Sequence, residues 1–179
     1  PSWCRAWRAA RRAGAAAAVV LLIAPAAHAI EAIPVDPSQA KIEITSKGEL
    51  YEGRGDRLQI ETAPGRDGYV GRMAVSASIP GTNPGWLVFA LSNPTSERIV
   101  RWLVAPRYTL VNSRVFWPSL DAPRIAAVTP SLGFRPEPLK SDRADIFRVN
   151  LEPGQTVTYT APSGADIKVT VVSFEPFTG

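Results

Sequence analysis

The chain has 179 residues, with 20 Lys and Arg against 16 Asp and Glu, and a formal net charge of +4. The whole excess lies in Arg5, Arg8, Arg11 and Arg12, so residues 30–179 are balanced and the basic isoelectric point is no argument for nucleic acid or anionic lipid as a partner. Cys4 and His28, the one Cys and the one His, also precede Ile30, so the remainder has no disulfide, thiol, imidazole base or Cys/His metal site, and Ser-His-Asp and Cys-His enzymes are excluded.

Residues 1–29 read as a signal peptide. Four arginines form a basic start, Ala13 to Ala24 is an apolar run, and Ala27-His28-Ala29 is an A-x-A cleavage site. The apolar run is short and Ala-rich for a spanning helix. Cleavage after Ala29 is expected, with export to the periplasm or another extracytoplasmic space. What remains suffices for one ordinary domain.

Residues 30–40, broken by Pro34, Asp36 and Pro37, read as an extended lead-in. Lys41 to Thr45 alternates as a half-buried strand, and so does Arg57 to Thr62, with Leu58, Ile60 and Thr62 facing one way. Gly48 and Gly53 to Asp56 mark turns, and Ala63 to Gly68 a loop. Tyr69 to Ile79 reads as a long strand with Met73, Val75, Ala77 and Ile79 on one side. Pro80 to Gly85 is a tight connection.

Trp86 to Leu91 is apolar at every position, the pattern of a strand covered on both faces. Asn93-Pro94-Thr95-Ser96 is turn chemistry. Arg98 to Val104 then alternates, with Val100, Trp102 and Val104 on one face and Ile99, Arg101 and Leu103 on the other. A short break and another strand lead to Trp117. Beyond it, Pro118, Pro123, Pro130, Pro136 and Pro138 leave no room for a helix of normal length. Lys140 to Asp145 is a charged loop, Ile146 to Asn150 a strand, Glu152-Pro153-Gly154 a turn, and Gln155 to Thr160 a strand with Val157 and Tyr159 inward. Strands joined by Gly/Pro turns, without helical periodicity, predict an all-β fold: an antiparallel β-sandwich or jelly roll forming a single domain over residues 41–161. Residues 162–179, with a strand-like Ile167 to Phe174, form one more strand or a divergent tail.

Six residues are candidate ligand contacts: Arg101, Trp102, Arg107, Tyr108, Arg114 and Trp117. Aromatic faces stack on sugar rings and guanidinium groups grip carboxylates in pairs of bonds. The competing reading is that the tryptophans fill the core and the arginines pair with Asp142, Asp145 or Glu97. Arg101, a cation on an apolar face, needs a partner if buried, and Asp142 or Asp145 is expected to supply it; structural ion pairing is thus assigned to Arg101, Asp142, Arg143 and Asp145. Asp142 and Asp145 match no calcium loop, and no metal and no cofactor is expected. Ser38-Gln39-Ala40-Lys41 has the Ser-x-x-Lys spacing but lies in the lead-in without the motifs that accompany it in penicillin-recognising enzymes. Arg54-Gly55-Asp56 reads as an exposed turn.

Several segments together resemble a known family. They are Phe89-Ala-Leu-Ser-Asn-Pro, Glu97-Arg-Ile-Val-Arg-Trp-Leu-Val-Ala-Pro-Arg-Tyr, Phe116-Trp-Pro-Ser-Leu-Asp, Val128-Thr-Pro-Ser-Leu-Gly-Phe, Lys140-Ser-Asp-Arg-Ala-Asp-Ile-Phe-Arg and Leu151-Glu-Pro-Gly-Gln-Thr-Val-Thr-Tyr. The chain resembles, over roughly Glu43 to Tyr159, the extracytoplasmic N-terminal region of bacterial membrane-bound GGDEF/EAL signalling proteins, the diguanylate cyclases and cyclic-di-GMP phosphodiesterases. The resemblance implies a jelly-roll sensory domain that members of the family join to transmembrane helices and cytosolic catalytic domains. After Tyr159 the chain departs from that pattern, with no hydrophobic span and no GGDEF or EAL motif; a truncated parent or one more strand accounts for the tail.

The expected function is a sensory input domain that performs no chemistry itself and binds a small molecule or a periplasmic protein, not nucleic acid. In the parent family its membrane attachment comes from the downstream helices. A secreted carbohydrate-binding module is the alternative on the same Trp, Tyr and Arg residues. An enzyme using carboxylates alone lacks an acidic pair in an apolar setting.

Overall fold

Trp86 to Leu91 is the centre of the fold because both of its faces are covered. The structure is a computed structural model describing residues 29–122, 124–163 and 168–173. The leader ahead of Ala29, Pro123, and both ends of the expected terminal strand, Ile167 and Phe174, lie outside the described residues.

Among those residues there are strands and no helix. In chain order they are β1 (Ala32–Pro34), β2 (Lys41–Glu43), β3 (Glu49–Tyr51), β4 (Arg57–Glu61), β5 (Arg72–Ser76), β6 (Gly85–Ser92) and β7 (Ile99–Pro106). There follow β8 (Tyr108–Leu110), β9 (Phe116–Pro118), β10 (Thr129–Pro130), β11 (Glu137–Leu139), β12 (Ala144–Leu151), β13 (Thr156–Ser163) and β14 (Thr170–Val172). One sheet runs β1-β6-β13-β10, with β3 also paired to β6; the other runs β11-β12-β7-β14-β2. Their inner faces share one core, where Leu87, Phe89, Leu91 and Tyr159 of the first sheet meet Ile99, Leu103, Phe147 and Val171 of the second. The Phe89 and Tyr159 rings stack with centroids 5.5 Å apart. The all-β sandwich read from the sequence is what the chain forms.

The outer face of β6 is covered too. Among the described residues β4 and β5 pair only with each other, and this ribbon lays Leu58, Ile60, Met73 and Val75 over Trp86, Val88 and Ala90. The alternation of β4 and β5 therefore feeds a third layer rather than the sandwich core. β5 is shorter than its apolar pattern. The backbone N–H of Ala77 donates to Asp56 O at 2.7 Å and ends the ladder, leaving Ile79 exposed.

The two ends of the described chain are built into the sheets. Within the lead-in, β1 pairs in parallel with β6, Ile33 opposite Leu91, and buries Ile30, Ile33 and Val35. β14 lies inside the second sheet, with Val171 between Leu103 of β7 and Ile42 of β2. Val169, Thr170 and Val171 are buried there.

Candidate functional site

β7 ends at Pro106, and the next residue, Arg107, is the root of the most distinctive part of the surface. Its N–H donates to Arg143 O at 2.7 Å, and its carbonyl accepts from Ser119 N at 2.8 Å. Its guanidinium turns inward. Nη2 donates to Ser141 O at 2.6 Å, and Nε lies 3.3 Å from Asp145 Oδ1, in ionic contact without hydrogen-bond alignment. The two side chains are only 13% and 10% exposed. Asp145 Oδ2 accepts the Ile125 N–H at 2.9 Å, and Arg124 reaches Oδ1 from outside at 3.7 Å. The Arg107–Asp145 pair thus ties the exit of β7, the loop before β12 and the proline-rich segment together.

Arg101 does not take part, contrary to expectation. β7 and β12 pair with Asp145 opposite Ala105 and Val149 opposite Arg101, so register carries the carboxylate away from Arg101. Arg101 instead donates from Nη1 to Val100 O at 3.0 Å and from Nη2 to Pro37 O at 3.1 Å, closing the sandwich against the lead-in. Its Nε is buried without a hydrogen-bond partner among the described residues. Asp142 and Arg143 are exposed and form no salt bridge among the described residues. Of the four residues assigned to structural ion pairing, Asp145 alone serves it, with Arg107 as its buried partner.

From this root β8 and β9 extend as a hairpin, with Thr109 opposite Trp117 and Leu110 opposite Phe116. It pairs with no other strand among the described residues. Strand alternation puts Tyr108, Leu110 and Phe116 on one face and Val111, Val115 and Trp117 on the other. All six are exposed, Trp117 at 66%. The Tyr108 and Phe116 rings meet edge to face at 4.6 Å. Arg114, exposed in the turn, has φ +62°, a left-handed conformation held by Arg114 N donating to Val111 O at 2.8 Å.

The six candidate contacts therefore do not form one pocket. Arg107, Tyr108, Arg114 and Trp117 belong to the hairpin and its root. Trp102 is on the outer face of the second sheet, half-buried, with the Arg148 guanidinium 5.8 Å from its ring centroid. Arg101 is six residues from Arg107 along nearly straight strand, about 20 Å away. The expectation that these tryptophans fill the sandwich core fails for both, since Trp102 is half-buried on the outer face and Trp117 is exposed; the buried Trp86 packs under the β4–β5 ribbon instead. A shallow cleft of about 450 Å³ lies beside the root, between Arg124, Ile125, Leu139, Asp145 and Phe147.

The remaining polar motifs serve turns. Ser38 donates to Asp36 Oδ1 from both N and Oγ, at 2.8 and 2.7 Å, which removes Ser38-Gln39-Ala40-Lys41 from any helix. Those bonds hold the Asp36 carboxyl below its ordinary range. In Arg54-Gly55-Asp56, the Asp56 carboxylate accepts the N–H groups of Gly81 and Asn83, and they lower its pKa likewise. Burial, helped by the hydrogen bond to Glu49, pushes the Tyr51 hydroxyl up to about 12. No group of three or more His, Cys, Asp and Glu able to hold a metal occurs among the described residues.

Sequence reasoning placed Asn93 in a turn but missed its importance. Its buried amide donates to Glu97 O at 2.7 Å and Leu151 O at 3.0 Å, while Oδ1 accepts from Thr95 N and Oγ1. The single strand expected to lead to Trp117 is a hairpin of two; the signal that could have shown it is Asn112-Ser113-Arg114 between apolar arms. Its exposure was not legible, because an apolar arm reads the same inside and outside.

Comparison of the chain with protein-family models, curated proteins and solved structures finds no match in any of the three.

Proposed function

We propose that this domain is a non-catalytic recognition module, the exported sensory input domain of a cyclic-di-GMP signalling protein, and that the β8–β9 hairpin is its contact surface. The observation that supports the reading is the pairing of a fixed root with an exposed aromatic arm. The buried Arg107–Asp145 contact holds the base, and Tyr108, Phe116 and Trp117 project from it. A contiguous apolar surface on a soluble domain marks an interaction site. The resemblance of the segments from Phe89 to Tyr159 supplies the signalling context.

The test has two arms. A thermal-shift panel of sugars, dicarboxylates and amino acids is expected to show ligand stabilisation that Trp117→Ala removes while the unliganded melting temperature stays within a degree or two. Incubation of the pure chain with GTP or cyclic di-GMP is expected to give no turnover; turnover proportional to enzyme would refute the non-catalytic reading. The carbohydrate-binding alternative is favoured by the exposure of Trp117, and stabilisation by neutral sugars alone would select it.

A further inference from the structure

We propose that the β8–β9 hairpin docks on an anionic bilayer surface, burying its aromatic residues at the level of the lipid headgroups. This rests on the reading of the hairpin as the contact surface and names what it contacts.

The hairpin is apolar on both faces. Tyr108, Leu110 and Phe116 point one way, Val111, Val115 and Trp117 the other, and Leu120 follows just past β9 at 94% exposure. A flat protein partner covers one face of a two-stranded ribbon and leaves the other wet. A fluid interface covers both. Trp and Tyr are the residues that favour that interface, where an apolar ring and a polar atom are both accommodated.

The charges around the root have the matching sign. Arg107 and Asp145 compensate each other inside. The exposed charges of the segment from Tyr108 to Ala144 are Arg114, Arg124, Arg135, Lys140 and Arg143 against Asp121, Glu137 and Asp142. Overall neutrality beyond the leader therefore conceals a basic end. Each such cation is worth roughly a fivefold gain in partitioning to an anionic surface.

Depth follows from the backbone. Arms of three residues reach about 10 Å, matching the roughly 5–10 Å to which interfacial elements sink. Both outer edges of the hairpin pair with no other strand among the described residues, and their free N–H and C=O groups are not satisfied by hydrocarbon. The hairpin therefore stops among headgroups and water, with the Arg114 side chain bent back towards phosphate.

The experiment uses the full chain and vesicles of phosphatidylglycerol with brominated phosphatidylcholine. The signal of Trp117 is isolated as the difference between wild type and Trp117→Phe, which cancels Trp3, Trp7, Trp86 and Trp102 whatever the N-terminal segment does. Expected are quenching of the Trp117 component, stronger with bromine near the headgroup than near the chain end, and about 25-fold weaker partitioning for Arg114→Glu, a change of two charges. An unquenched Trp117 component on vesicles that carry the protein overturns the proposal. Trp117-dependent self-association without quenching also overturns it and assigns the hairpin to a second copy. Ligand stabilisation lost in Trp117→Ala, again without quenching, overturns lipid docking but leaves the recognition module standing.

Discussion

Asn93 and Asp145 each hold several backbone segments through one buried polar group. Asn93→Leu keeps the volume but leaves the Leu151 carbonyl and the Thr95 N–H without their partner, while the Thr95 hydroxyl and the Glu97 carbonyl keep each other. A loss of about 2–4 kcal/mol is expected in urea unfolding. Asp145→Ala orphans the Arg107 guanidinium and the Ile125 N–H, and should cost about 3–5 kcal/mol. Arg124→Ala, at an exposed position on the same carboxylate, should cost less than about 1 kcal/mol. Arg101→Ala orphans no carboxylate, since its bonds run to carbonyls, and about 1 kcal/mol is the expected cost. Composition pointed to Asp142 or Asp145 as the carboxylate to be paired, and of the two it is Asp145, at the start of β12, that is buried against an arginine. Which arginine meets it depends on the register of β7 against β12, and no pattern of alternation states a register.

Strands with strong patterns were legible as elements: β2, β4, β6, β7, β12 and β13 all overlap the segments that alternation or an apolar run marked, although β12 starts at Ala144, inside the stretch read as a charged loop. Extents and neighbours were less so. The apolar pattern of β5 continues to Ile79, but Asp56 draws the chain aside by binding Gly81 and Asn83. Its depressed pKa sets the sign of the acid response. The bonds contribute fully above the unfolded Asp value of about 3.9 and fade as pH falls through the lower folded value. At neutral pH, Asp56→Ala should therefore speed amide exchange at Gly81 and Asn83, as wild type should do only in strong acid; equal exchange in both at neutral pH would contradict this. β14 makes a larger prediction. Ending the chain after Ser163 exposes the edge of β7 and strips β2 of its neighbour. Most of a typical domain stability of about 5–15 kcal/mol should vanish, with insoluble protein or a lost cooperative melt as the readout.

At the scale of the whole molecule, far-UV circular dichroism of the folded domain should show β-structure and little helix. A helix content near the globular average of about one third would contradict the fold. The sandwich itself was readable because β6 is apolar throughout and turns recur at sandwich spacing. The third layer was not readable. A half-buried strand alternates identically whether it faces a sandwich core or lies as a ribbon on the back of a sheet. Trp86, under that ribbon, separates the two cases. Trp86→Ala should cost about 3–5 kcal/mol through the cavity it leaves between β6 and the ribbon, although Trp86 faces away from the inter-sheet core.

The interior position of β14 also governs when the protein can fold as it is made. Ile42 and Leu103 emerge early, yet the strand that joins them contains Val171. At roughly 5–20 residues per second of synthesis, the second sheet lacks its middle for several seconds after β7 has appeared. Closing so long a loop makes the final step slow, in the millisecond-to-second range of non-local β pairing. The second sheet of a nascent chain of this design therefore stays open until Val171 has been made.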